Sequence, residues 1–177
     1  MKLTAFQPNR AQDVIQLITD VFTDSEGADE GNFIGQLAKD LIETETGDVV
    51  CFIAFENDNV IASIFFSRLV LSNHQIAFIL APVAVAADRQ KQGIGQRLIR
   101  FGIEQLKSKG IELLFTYGDP KYYSKSGFVP IAEDEVKAPL KLSYPHGWLI
   151  QSLSDDEINL KGIATHCIPA LNDQRYW

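Results

Sequence analysis

Apolar positions recur along this chain in two rhythms, and the switches between them mark its elements. Lys2 to Gln7 alternates apolar and polar residues and predicts a first strand. Pro8-Asn9 then opens a helix with Val14, Ile15, Leu17, Ile18, Val21 and Phe22 on roughly one face. Asp24 to Gly31 is acidic and contains glycine, which predicts a loop. A second helix carries Phe33, Ile34, Leu37, Leu41 and Ile42 at helical spacing and stops at Gly47-Asp48. Val49 to Phe55 and Val60 to Leu71 flank Glu56-Asn57-Asp58-Asn59, the pattern of an antiparallel hairpin. A turn at Ser72-Asn73 leads into an apolar strand from Ile76 to Val85. An amphipathic helix follows around Leu98 to Leu106, stopped by Lys109-Gly110. Ile111 to Thr116 is another short strand. Beyond Ile131 the pattern weakens, with Pro139 and Pro145 punctuating it. Trp148 to Leu153 and Gly162 to Ile168 read as strands, and Pro169 to Trp177 shows no periodicity.

The junction between the Ile76–Val85 strand and the next helix carries the clearest chemistry. It reads Gln90-Lys91-Gln92-Gly93-Ile94-Gly95-Gln96. A helix begins with backbone N–H groups that have no intrahelical acceptor, and its dipole is positive there, so the junction suits an anion. Gly93 and Gly95 allow close approach to the backbone, and Lys91 adds a positive charge. A Walker loop needs four residues between its glycines and a following Lys-Ser/Thr, and neither is present. A dinucleotide fingerprint needs a third glycine where this chain has Leu98. What remains is Gln-x-x-Gly-x-Gly at a strand-to-helix turn.

That pattern resembles the acetyl-CoA diphosphate loop of the GNAT superfamily of N-acetyltransferases. A second stretch carries the same resemblance: after the Ile111–Thr116 strand comes Tyr123-Ser124-Lys125-Ser126-Gly127-Phe128, similar to the family's Tyr-x-x-x-Gly-Phe. The two motifs are joined continuously from about Ile76 to Pro130. The resemblance implies a single domain over 1–177, with a cofactor-binding core at about 76–130 and C-terminal strands within 138–177. The implied fold class is α/β, with a mixed, mostly antiparallel sheet, a splayed strand pair and flanking helices.

The same resemblance implies site roles. Gln90, Lys91, Gln92, Gly93, Ile94, Gly95 and Gln96 would hold the diphosphate. Backbone groups of Val83, Ala84 and Val85 would pair with the pantetheine arm. Pro82, lacking an N–H, suits a place where ladder pairing breaks. Tyr123 would stand beside the sulfur as general acid, since a phenol stays protonated at neutral pH and can donate to a thiolate. Tyr122 is read as packing. Asp24, Glu26, Asp29 and Glu30 would wall the acceptor pocket and attract a cationic amine. The strand from His74 to Ala81 holds no carboxylate to act as base, and His74 reads as a surface turn residue.

Composition narrows the partners. The chain has 177 residues, 46% of them hydrophobic, and a net charge of -7, which argues against nucleic acid or an anionic membrane as partner. No apolar run approaches the roughly 18 residues of a spanning helix. Cys51 and Cys167 lie in apolar strand-like stretches, so free buried thiols are expected. His74, His146 and His166 are scattered, and no metal is expected. The expected setting is the cytoplasm, the expected cosubstrate acetyl-CoA, and the expected partner an amine acceptor; a homodimer stays open. Two functions fit the motifs: an acetyl-CoA-dependent N-acetyltransferase, and a non-catalytic acyl-CoA-binding sensor or interaction module. The first alone has a use for Tyr123.

Overall fold

The computed structural model describes residues 1–45, 47–154 and 160–177. They divide into two compact units, Met1–Phe66 with Ala81–Gly102, and Ser67–Leu80 with Ile103–Trp177. Three elements contribute residues to both: β3 (Asn59–Leu71), β4 (Ile76–Val85) and α3 (Ile94–Ser108).

The first unit opens with β1 (Lys2–Ala5), which lies antiparallel on β2 (Val49–Glu56), from Lys2 opposite Phe55 to Ala5 opposite Phe52. Strand order in this unit is β1-β2-β3-β4. The β2–β3 turn holds Asn57 at φ 49° and Asp58 at φ 68°. Two left-handed residues in a two-residue turn match the twist of a hairpin, and Asn and Asp tolerate that region best among non-glycines. Arg10 clamps the turn, donating to the Asp58 carbonyl at 2.9 Å and to its carboxylate at 2.6 Å.

Two helices separate β1 from β2: α1 (Ala11–Glu26) and α2 (Ala28–Glu43). The acidic loop expected over Asp24 to Gly31 is therefore a single residue. Gly27 takes φ 100°, ψ 167°, a conformation open mainly to glycine. Its N–H donates to the Thr23 carbonyl and its carbonyl accepts from Gly31, each at 3.0 Å, so one helix ends and the next begins on the same residue. Asp24 and Glu26 fall in the last turn of α1, and Asp29 and Glu30 in the first turn of α2. Gly31 and Gly35 face Thr23 and Thr19 so closely that a Cβ on either would strike the threonine hydroxyl. Val14, Leu17, Ile18, Ile34, Leu37 and Leu41 are buried on the inner faces. Gly102 of α3 likewise leaves room for Phe66, Ile64 and Phe52.

The second unit continues β3 and β4 and adds β5 (Leu113–Tyr117), α4 (Pro120–Tyr123), β6 (Val129–Pro130), β7 (Val136–Lys137), β8 (Trp148–Ser152) and β9 (Ile163–Cys167). Its order is β3-β4-β5-β8-β6, with β9 on β3 and β7 on β9. β4 and β5 run parallel, joined by α3, as a parallel pair requires a crossover. β5 starts at Leu113 rather than Ile111 because Ile111 donates to the Leu106 carbonyl and finishes α3. Trp148 is fully buried, stacks on Phe115 at 5.0 Å and donates its indole N–H to the Val136 carbonyl at 2.9 Å.

The tail that showed no periodicity is built into this unit by one aromatic. Trp177 is 4% exposed. It donates to the Leu171 carbonyl at 3.0 Å, stacks on Tyr117 and meets Trp148 edge-on. Both cysteines are free thiols, Cys51 buried and Cys167 half-buried, and burial pushes both up. Among the described residues no helix is long and apolar enough to cross a membrane.

Candidate active site

The ladder between β4 and β5 stops early. It pairs Ala77 with Leu113, and so on to Leu80 with Thr116, whereas β4 runs on to Val85. Val83, Ala84 and Val85 lie past the last pair, in the first unit. Pro82, just beyond that pair, has no N–H to give to a ladder. On the other side β4 stays tied to β3, through the Ala86 amide and the Ile61 carbonyl at 2.9 Å.

After β4 the chain makes a short 3-10 turn over Ala87–Arg89 and enters the glycine loop. Gln90 folds back, and its side-chain amide donates to the Val85 carbonyl at 3.1 Å. Gln92 does the same to the Asp88 carbonyl at 3.1 Å. Both glutamines thus brace the loop with their amide N–H groups. Lys91 takes φ 60° and Gly93 φ 75°. Two left-handed residues flanking Gln92 curl the backbone before the helix. At Gly93 nothing lies within 4 Å of the place a Cβ would occupy, so its surface is open.

The first intrahelical bond of α3 runs from the Arg97 amide to the Gly93 carbonyl at 3.0 Å. The amides of Ile94 and Gly95 come before it, at the start of the helix. Lys91, Gln92 and Gly93 are exposed, while Ile94 and Gly95 are buried and anchor the helix start. Ion pairs hold the flank: Arg89 reaches Glu56 at 3.1 Å and Asp88 at 3.5 Å. An open glycine, curled backbone, a helix start and a lysine make a place an anion can approach closely.

Tyr123 belongs to the second unit, at the end of α4. Asp119 caps that helix by accepting from the Lys121 amide at 2.9 Å, and Pro120 supplies a preset first turn. The Tyr123 amide donates to the Asp119 carbonyl at 3.1 Å. The ring meets Tyr122 edge-on at 5.0 Å and Phe128 edge-on at 6.0 Å. Burial pushes the phenol up to about 12 from an ordinary value of 10.0. A hydrogen bond with the Thr116 side chain acts in the opposite direction, and the neighbouring Tyr122 and Asp119 push it up further. The phenol therefore holds its proton across the neutral range.

The sequence reading assigns no site role to Thr116 or Gly118. Thr116 is a fully buried hydroxyl in the run Leu113-Leu114-Phe115-Thr116, and a polar residue in an otherwise apolar core strand was the available signal. Asp24, Glu26 and Asp29 are exposed and Glu30 is partly so. His74 is exposed in the β3–β4 turn at φ 65°. Among the described residues no group of three His, Cys, Asp or Glu side chains is placed to hold a metal ion.

β4 thus runs on past its last β5 pair into an exposed glycine loop at a helix start, a place suited to an anion. Comparison with known proteins shows the family. Residues 47–130 match the family model described as the acetyltransferase (GNAT) domain. The chain is 32% identical over 159 residues to the uncharacterized N-acetyltransferase YjhQ of Escherichia coli (strain K12), covering 86% of this chain and 84% of that one. The chain belongs to the GNAT family of acetyltransferases. Solved structures show the same fold. The Escherichia coli GNAT family N-acetyltransferase YhbS in complex with CoA superposes with a TM-score of 0.79 at 22% identity, over 97% of this chain and 92% of that chain. A Brucella melitensis GNAT family acetyltransferase in complex with acetyl-CoA does so with a TM-score of 0.70 at 22% identity, over 97% of each chain.

Proposed function

We propose that this chain moves the acetyl group of acetyl-CoA to an amine acceptor by direct attack in a ternary complex. The observation that carries the reading is the loop Gln90–Gln96, in which Gly93 is left-handed and open and the first amides of α3 follow it. The diphosphate of acetyl-CoA sits against those amides and Lys91. Val83, Ala84 and Val85 offer backbone groups to the pantetheine arm, and one amide polarises the acetyl carbonyl.

The amine nitrogen attacks the thioester carbon, the C–S bond breaks, and the nitrogen sheds its extra proton to water. Tyr123 gives its proton to the departing thiolate sulfur and regains one from solvent. Burial keeps the phenol protonated at neutral pH, so its proton is present when the C–S bond breaks. We assign Asp24, Glu26, Asp29 and Glu30 to attraction of a cationic amine; four carboxylates gathered at the α1–α2 junction support that assignment. Free Cys51 and Cys167 support a reducing, cytoplasmic setting.

YjhQ and YhbS carry N-acetyltransferase names without an acceptor, so the acceptor has to be found by assay. Thiol release from acetyl-CoA is followed over polyamines, aminoglycosides, amino acids and lysine peptides. Enzyme-dependent release with at least one amine supports the reading, and release at the buffer rate with all of them contradicts it.

A further inference from the structure

Tyr123 is held by two groups to which neither the motif nor the family match draws attention. The first is Gly118. A Cβ built on Gly118 would come 2.7 Å from Cε2 of Tyr123, and 3.6 and 3.7 Å from Cδ2 and Cζ. The edge of the phenol ring thus occupies the space that any other residue's side chain would fill. The backbone there is fixed from behind: the Gly118 amide donates to the Gly147 carbonyl at 3.0 Å. Gly147 is itself confined, since a Cβ on it would lie 2.9 Å from the Gly118 carbonyl oxygen.

The second group is Thr116, two residues earlier, within β5. Its hydroxyl is fully buried and donates to the Leu80 carbonyl at 3.0 Å. A side-chain hydrogen bond with Thr116 is also the one influence that lowers the Tyr123 phenol against its burial. A hydroxyl has one proton and two acceptor sites. While the phenol is neutral, that proton stays on Leu80; once the phenol has lost its proton, the hydroxyl can turn and donate to the phenolate oxygen.

We propose that Gly118 and Thr116 are positioning residues for Tyr123, Gly118 by seating the ring edge against bare backbone and Thr116 by tethering the phenol oxygen. The proposal rests on the reading of Tyr123 as the proton donor. With the ring boxed by Gly118, Tyr122 and Phe128 and its oxygen tied to Thr116, the phenol keeps one orientation. A misplacement of about 1 Å at a reacting group can cost on the order of 100-fold in rate.

The test compares Gly118→Ala, Thr116→Val and Thr116→Ser, each alone and in a Tyr123→Phe background. Thiol release from acetyl-CoA is measured with the fastest amine of the screen and, separately, without amine, as water attacks the same thioester. Gly118→Ala should lower kcat by about 10-fold or more and leave the acetyl-CoA KM within about twofold. Thr116→Val should lower kcat with the pH profile still level up to pH 10, while Thr116→Ser, which keeps the hydroxyl, should restore kcat. In the Tyr123→Phe background the same changes should cost nothing further in kcat, because the group they position is gone. Should Gly118→Ala fail to give a cooperative thermal melt, the Thr116 pair decides. Equal losses in both backgrounds, or wild-type kcat in Gly118→Ala and Thr116→Val, would overturn the positioning role while a slow Tyr123→Phe enzyme keeps the acid role intact. A Tyr123→Phe enzyme with full turnover would instead overturn the acid role itself, and this inference with it.

Discussion

The side-chain amide of Gln90 donates to the carbonyl of Val85 across 3.1 Å. The first residue of the glycine loop is thereby fastened to the last residue of β4. A net hydrogen bond of this kind is worth about 1 kcal/mol. Gln90→Ala should then weaken acetyl-CoA binding by about fivefold in calorimetry. Gln90→Glu should weaken it more, since a carboxylate there would face both a carbonyl oxygen and the diphosphate. Equal affinity in all three proteins would show that this bond does not shape the site.

Gly93 allows the loop to be tested apart from the fold. Its φ of 75° costs a side-chain-bearing residue about 1 kcal/mol, but nothing in the protein would touch the new Cβ. Gly93→Val should therefore still melt cooperatively, while acetyl-CoA affinity falls by at least about tenfold. Lys91→Ala should have a modest effect, as an exposed charge is screened by salt.

Tyr123 leads to a statement about pH. An acid must be protonated to work, and burial raises this phenol to about 12. Deprotonation of Tyr123 therefore leaves the rate untouched between pH 7 and pH 10. The profile should rise as the amine loses its proton and then stay level, with no fall below pH 10. Tyr123→Phe should lower the level part by roughly 10²–10⁴-fold, and Tyr122→Phe should do far less. A falling limb centred near pH 9 that vanishes in Tyr123→Phe would show that the phenol is not raised.

Gly31 tests the packing of α1 on α2. A Cβ there would press on the Thr23 hydroxyl and sit 2.7 Å from the Thr19 carbonyl and 2.8 Å from the Thr23 amide. Backbone atoms cannot give way as a side chain can, so Gly31→Ala should lose about 2 kcal/mol despite alanine's better helix propensity. Denaturant unfolding measures it, and a gain in stability would mean that the helices are free to separate.

The acidic junction yields the last substitution set. Neutralising it as Asp24→Asn, Glu26→Gln, Asp29→Asn and Glu30→Gln should raise KM for a cationic acceptor more than it lowers kcat, because the attraction acts on ground and transition states alike. The effect should shrink as salt is added. An unchanged KM at low salt would leave these residues with only their helix-end positions.

What could be read from sequence follows the range of the forces involved. The limits of β4 were legible because a ten-residue apolar run ends shortly before a glycine loop, and the hairpin was legible because Asn57-Asp58 tolerate the left-handed region that a two-residue turn uses. The α1–α2 junction was not. Four acidic residues near two glycines look like a solvated loop, yet Gly27 reverses the chain alone, and Gly31 is held inside a helix by contact with Thr23. Trp177 could not be placed either, because its partners Tyr117, Trp148 and Leu171 come together only in the folded unit. Tyr123 was singled out by its spacing to Gly127-Phe128, whereas the closeness of Gly118 to its ring is a distance that no local pattern encodes.

The central claim is that this chain acetylates an amine, and the product tests it most directly. Acetyl-CoA is incubated with the amine panel, and each amine is examined by mass spectrometry for the acetamide, with wild-type protein and with Gly93→Val alongside. The account predicts an acetamide from at least one amine, formed in step with free CoA thiol and lost with Gly93→Val. Tight binding of acetyl-CoA by wild-type protein, with every amine recovered unmodified, would contradict it and leave a cofactor sensor in its place.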